Sequence, residues 1–177
     1  GWFAQVDVAM KSHTRNFFGF LTVALALSFA SIATGCGRPY EVATPEGFVE
    51  LTEKEDRYDQ AHHEYRASTA DGVVVGVRAF DNEPTVDLAL AVRAFENRVR
   101  LGEGYALLDK KEISARNGQK GTLLSFGHDE AGGAHLYSVA IFVTEDWVYI
   151  LESGGKKDLF DKARASVEWF IKNFQPE

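Results

Sequence analysis

The stretch Leu136-Tyr137-Ser138-Val139-Ala140-Ile141-Phe142-Val143 decides the fold, because its apolar residues fall on both alternating faces. Successive side chains of a strand point to opposite sides of the sheet, so both sides of this one have to be covered. It therefore predicts a central strand with packed layers above and below. Turn signals bracket it: Gly132-Gly133 lead in, and Thr144-Glu145-Asp146 lead out to a strand-like run at 147–151. Upstream, the runs 105–114 and 122–126 flank Asn117-Gly118, a pair that accepts the positive φ angles of tight hairpin turns. Together the four runs predict an antiparallel meander.

Two amphipathic helices are available to cover it. Phe160, Ala163, Val167, Phe170 and Phe174 recur at spacings of three and four, and Pro176 ends that pattern. Leu88, Val92, Phe95 and Val99 form an earlier stripe, with Arg93, Glu96 and Arg100 off it and Glu96 spaced to pair with Arg100. Asn82-Glu83-Pro84-Thr85 reads as the start of this helix and Gly102 to Gly104 as its stop. Before it, the runs 64–69 and 73–80 flank Ala70-Asp71-Gly72 as a hairpin, and residues 47–51 form a first strand. A charged, weakly patterned stretch lies at 52–60. Strand, hairpin, helix, meander, helix is an α+β order with a mostly antiparallel sheet and helices packed on it.

The amino-terminal part is different in kind. Of 177 residues, the first 35 hold only Asp7, Lys11 and Arg15 as charged side chains, while the rest hold 17 basic and 25 acidic ones, a net charge of −8. Such an acidic domain repels phosphate backbones, which argues against nucleic acid as a partner. A composition 45% apolar and 12% aromatic excludes a disordered chain, and a single cysteine excludes an internal disulfide or a multi-cysteine zinc site. Met10, the only methionine, opens Met-Lys-Ser-His-Thr-Arg, a short basic region that reads as the true start. Residues 17–33 follow without a charge, and Ala33-Thr34-Gly35 precede Cys36. Seventeen residues are few for a spanning helix, which needs about 20.

This arrangement resembles the bacterial lipoprotein signal, in which cleavage occurs before a cysteine that already carries diacylglycerol. The resemblance implies lipidation at Cys36, in preference to a free reactive thiol, an uncleaved anchor or an ordinary signal peptide. Membrane attachment through that lipid follows. Two or three acyl chains exceed the marginal hold of one. Gly37 in place of Asp implies, by the same resemblance, the periplasmic face of the outer membrane if the cell is Gram-negative. The expected organisation is an upstream and signal segment at 1–35, a tether at 36–46 carrying Pro39 and Pro45, and one domain at 47–177.

Within that domain, Gly47-Phe48 at its opening, Gly104-Tyr105 after the first helix, and the runs 137–143 and 147–151 leading into an aromatic-rich helix resemble the PsbP-like fold. DcrB-type bacterial lipoproteins are one group with that fold. The resemblance covers residues 47–174 and rests on apolar patterns, not chemical signatures. It implies a non-enzymatic binding or assembly protein of the cell envelope, with no cofactor and with an envelope protein or small ligand as partner. A purely structural envelope component is a third class.

Several clusters could carry other chemistry. Asp56, Asp59, His62, His63 and Glu64 hold carboxylates and imidazoles, so the alternative function is a metal-binding protein or hydrolase. Neighbouring His62 and His63 point oppositely in an extended segment, which weakens that alternative. Ser125, His128 and Asp129 have the residue types of a triad, yet lie too close around a turn to line up, and no Gly-x-Ser-x-Gly surrounds Ser125. Ser153-Gly154-Gly155-Lys156-Lys157 between strand and helix has the context of a phosphate cradle, but Ile150 and Lys157 break the P-loop pattern, leaving a flexible turn with two lysines. Gly102-Glu103-Gly104 lacks the third glycine of a dinucleotide site. Trp147, Tyr149, Trp169, Phe170 and Phe174 are read as core before pocket.

Overall fold

A computed structural model describes residues 38–51 and 65–177. Its sheet has seven strands: β2 (Val49–Glu50), β3 (Tyr65–Ser68), β4 (Val74–Asp81), β5 (Ala106–Ser114), β6 (Lys120–Glu130), β7 (Gly133–Val143) and β8 (Trp147–Lys156). The order is β2-β3-β4-β8-β7-β6-β5, antiparallel throughout. The fold is α+β, as the element order predicts. β5 to β8 form the expected meander, and β4 then pairs with β8 to bring the first hairpin alongside.

β7 lies between β6 and β8, and its two faces are both buried. Val139 and Ile141 pack with Leu124, Phe126 and Ile150 against α1 (Leu88–Asn97), whose Val92 and Leu88 belong to the same cluster. Ala140 and Phe142 pack on the other face with Tyr149, Leu151 and the stripe Phe160, Val167, Phe170 and Phe174 of α2 (Lys157–Asn173) and its cap. Each fully buried side chain of this size stabilises by roughly 1.5–3 kcal/mol relative to exposure.

Three boundaries differ from expectation. The first helix starts at Leu88 with Asp87 as its cap, whose carboxylate accepts from the Leu90 N–H at 2.7 Å. Asn82 is used elsewhere: its side chain accepts from the Val86 N–H at 2.8 Å and donates to the Thr144 carbonyl at 3.0 Å, joining the loop before α1 to the β7–β8 turn. The stretch 153–157 is not a flexible turn, because β8 runs to Lys156 and α2 begins at Lys157. Third, the segment expected as a tether is structured from Tyr40. β1 (Tyr40–Glu41) pairs with β9 (Gln175–Pro176), and the buried Tyr40 ring packs 5.5 Å from Phe174. The Arg116 N–H donates to the Phe174 carbonyl at 2.9 Å, and its guanidinium pairs with Glu41, so the β5–β6 turn closes over both chain ends of the domain. Gly118 supplies the positive φ (+88°) that this turn needs.

Candidate functional site

α2 crosses the sheet without covering all of it. Toward β5 a groove of about 230 Å³ opens between the helix and strands β5, β6 and β7. Small side chains on β6 and β7 contribute to it, beside an irregularity in β5 between Leu107 and Asp109. Across four adjacent strands the register aligns Asp109 with Ser125, Ser125 with Ser138, and Ser138 with Ser153. Of these serines, Ser125 and Ser138 line the groove and leave space there, while the next row on this face carries Leu123, Ala140 and Leu151. Gly127, two residues after Ser125 on the same face, adds no side chain.

The row grades from open to closed. Asp109 is exposed at the mouth and Ser125 is half-buried, while Ser138 and Ser153 are 8% and 3% exposed. The Ser153 hydroxyl donates to the Ser138 carbonyl at 3.4 Å. The Ser138 hydroxyl has no hydrogen-bond partner among the described residues, and Ser138 lines the groove. Leu123, Leu136, Phe160, Val167 and Ile171 form apolar walls. At the rim stand Asp109 and Lys111 from β5 and Arg164 and Glu168 from α2, two charges of each sign. Arg164 is held by Asp161 and lies 5.6 Å from the centre of the Phe160 ring.

A second polar centre lies on the opposite face. Arg78 on β4 pairs with Glu152 on β8 at 2.7 Å, and the Tyr137 hydroxyl also donates to Glu152, at 2.5 Å. Burial, with the Glu152 carboxylate beside it, pushes the Tyr137 phenol well above its ordinary range, so it remains a donor. On the same face Glu96 takes Arg100 at the predicted i,i+4 spacing and Lys110 of β5, both at 3.1 Å. These contacts, Lys110 first, hold its carboxyl below the usual range. The carboxylates of Glu96 and Glu152 are thus committed to partners within the fold.

The residues singled out in the sequence fall as follows. Cys36 lies outside the described residues, as do Asp56, Asp59, His62, His63 and Glu64. Among the described residues no group of three or more His, Cys, Asp or Glu could hold a metal ion, and no helix is long and apolar enough to cross a membrane. Ser125 faces the groove, whereas His128, three residues on, faces the other side of the sheet and stacks on Tyr105 at 4.8 Å. They cannot act together. In the glycine-lysine stretch, Ser153 is buried, Gly155 packs against Val73 with no room to spare, and Lys157 pairs with Asp161 at 2.6 Å, so no phosphate cradle forms. Glu103 pairs with Arg98 at 3.5 Å, which occupies the one polar side chain of Gly102-Glu103-Gly104. Tyr149, Phe170 and Phe174 are core, Trp147 is partly buried against it, and Trp169 is 44% exposed.

Sequence reasoning named Ser125 and Ser153 for other chemistries and passed over Ser138. A signal existed: Ser125 and Ser138 are equidistant from the Ala131-Gly132 turn, and Ser138 and Ser153 from Glu145-Asp146. Once the turns are set, the register follows.

No family model matches the chain, and no curated protein matches it in sequence. Solved structures do resemble it. Cyanobacterial PsbP (CyanoP) of Synechocystis sp. PCC 6803 is 12% identical, with a TM-score of 0.56 over 78% of this chain and 87% of that one. LpqN, involved in cell envelope biogenesis of Mycobacterium tuberculosis, is 11% identical, with a TM-score of 0.57 over 81% of this chain and 88% of that one. The domain has the PsbP-like fold.

Proposed function

We propose that this PsbP-like domain is an exported, lipid-anchored, non-enzymatic binding protein of the cell envelope, attached through Cys36 and taking its ligand in the groove beside α2. The observation that carries the binding part is the groove itself, whose floor presents the Ser138 hydroxyl, unpartnered among the described residues, and no aligned nucleophile and base. Support for the location is the uncharged run 17–33 ending at the chain's only cysteine. The likeness in fold to a mycobacterial protein involved in envelope biogenesis agrees with it.

The clasp of β1 on β9 sharpens this reading. Cys36 and Tyr40 are four residue steps apart, a span of at most roughly 14 Å when fully extended. A lipid on Cys36 therefore holds the end of the domain bearing the β5–β6 turn close to the bilayer. The protein would act at the membrane surface rather than at long reach.

Labelling with a radioactive fatty acid tests the anchor in cells expressing the full chain. The wild type is expected to incorporate label and fractionate with membranes, and Cys36→Ser to lose the label. Equal labelling of both overturns the proposal.

A further inference from the structure

We infer that the groove beside α2 binds a small, neutral, polyhydroxylated ligand, a saccharide ring being the type that fits. This rests on the reading of the domain as a binding protein and adds the ligand's chemistry. The groove holds about 230 Å³, below the ~300–1,000 Å³ of sites for drug-sized molecules, so the ligand is one ring in size.

The polar groups select among ring-sized ligands. At the floor, Ser138 is 8% exposed and its hydroxyl is unpartnered among the described residues, with the half-buried Ser125 beside it in register. A hydroxyl both donates and accepts, and so does each hydroxyl of a sugar. An acyl chain laid over these serines would strip their water and return no hydrogen bond. At the rim, Asp109 and Glu168 accept while Lys111 and Arg164 donate. Two carboxylates disfavour an anion such as phosphate, and two cations disfavour a cationic ligand. A zwitterion would suit the rim and leave the serines at the floor unpaired. The walls of Leu136 and Val167 match the apolar C–H faces of a sugar ring.

The ligand could be free or the terminal unit of a glycan. Both present the same chemistry, so the test uses both. The full chain, purified in a detergent without a sugar headgroup, is titrated calorimetrically with methyl glucoside, methyl galactoside, N-acetylglucosamine and short oligosaccharides ending in them. Glycine and inorganic phosphate serve as zwitterion and anion. Saturable binding of at least one saccharide is expected. Preference for the monosaccharide marks a free ligand, and preference for the oligosaccharide marks a glycan end. The double variant Ser125→Ala/Ser138→Ala, which removes two hydroxyls without adding bulk, should bind about tenfold or more weakly. Ser138→Val should abolish binding by filling the floor.

The inference is overturned if no saccharide binds, if both variants bind like the wild type, or if glycine or phosphate binds in their place. Should a variant fail to fold, wild-type amide shifts on adding the saccharide decide the matter. They must centre on Ser125, Ser138 and the groove side of α2, and shifts elsewhere overturn it. Failure here leaves the Cys36 labelling result untouched, so loss of the ligand and loss of the anchor are distinguishable.

Discussion

α2 packs on one face of the sheet in two ways. Around Phe142, Tyr149, Phe170 and Phe174 the rings close on each other at 5.5 Å between Phe142 and Phe174 and 5.5 Å between Tyr149 and Phe174, with Tyr65 stacked on Phe170 at 5.9 Å. Toward β5 the same helix stands over Ser125 and Ser138 and leaves a cavity. Across β6, β7 and β8 the register is continuous between the two regions, while β5 has an irregularity between Leu107 and Asp109 on the groove side. On β6 and β7 the difference lies in side-chain volume, so a core and a binding site here are two fillings of one scaffold.

The largest effect should come from the filled region. Phe170 is 1% exposed, and Phe170→Ala should cost about 3–5 kcal/mol in urea melts through lost burial and the cavity left behind. Lys172, exposed two positions later on α2, is the control, and Lys172→Ala should change stability by less than about 0.5 kcal/mol. Equal losses for the two would mean that the aromatic stripe does not hold the helix to the sheet.

A smaller effect sharpens the boundary between the regions. Gly121 and Gly127 share the α2-side face of β6. A Cβ on Gly121 would lie 2.5 Å from the Phe142 ring and 2.6 Å from the Ile141 carbonyl oxygen, whereas the nearest neighbour of one on Gly127 is the flexible Leu108 side chain, at 3.1 Å. Gly121→Ala should therefore cost about 1–3 kcal/mol by overpacking against backbone. Gly127→Ala should stay within about 1 kcal/mol, since Leu108 is exposed and can turn away. Thermal melts showing the reverse order would misplace the dense and open parts of this face.

Much of the filled region was legible in the sequence. The alternation at 136–143, the stripes of both helices and the turn pairs Asp71-Gly72 and Asn117-Gly118 report local periodicity and turn chemistry, which depend on neighbours in the chain. What could not be read depends on distant partners. β1 and β9 have two residues each, too short for any periodic signal, and are joined by distant contacts such as Tyr40 with Phe174 and Arg116 with Glu41. The β4–β8 pairing joins Arg78 to Glu152 across 74 residues with no connecting turn to announce it. The groove was hidden for another reason. Serine in a strand reads as a solvent-facing position, and only the alignment of Ser125 and Ser138 beside a helix turns them into a floor.

The central claim is that the groove is spare volume kept for a ligand, and not the edge of a tightly packed core. Urea unfolding of Ser138→Val without ligand tests it most directly, because valine suits a strand and adds bulk only where the cavity lies. The account predicts stability equal to or above that of the wild type, as apolar volume fills the space and no hydrogen bond of the Ser138 hydroxyl is lost. A loss of about 1–3 kcal/mol, the usual cost of overpacking a dense core, would contradict it.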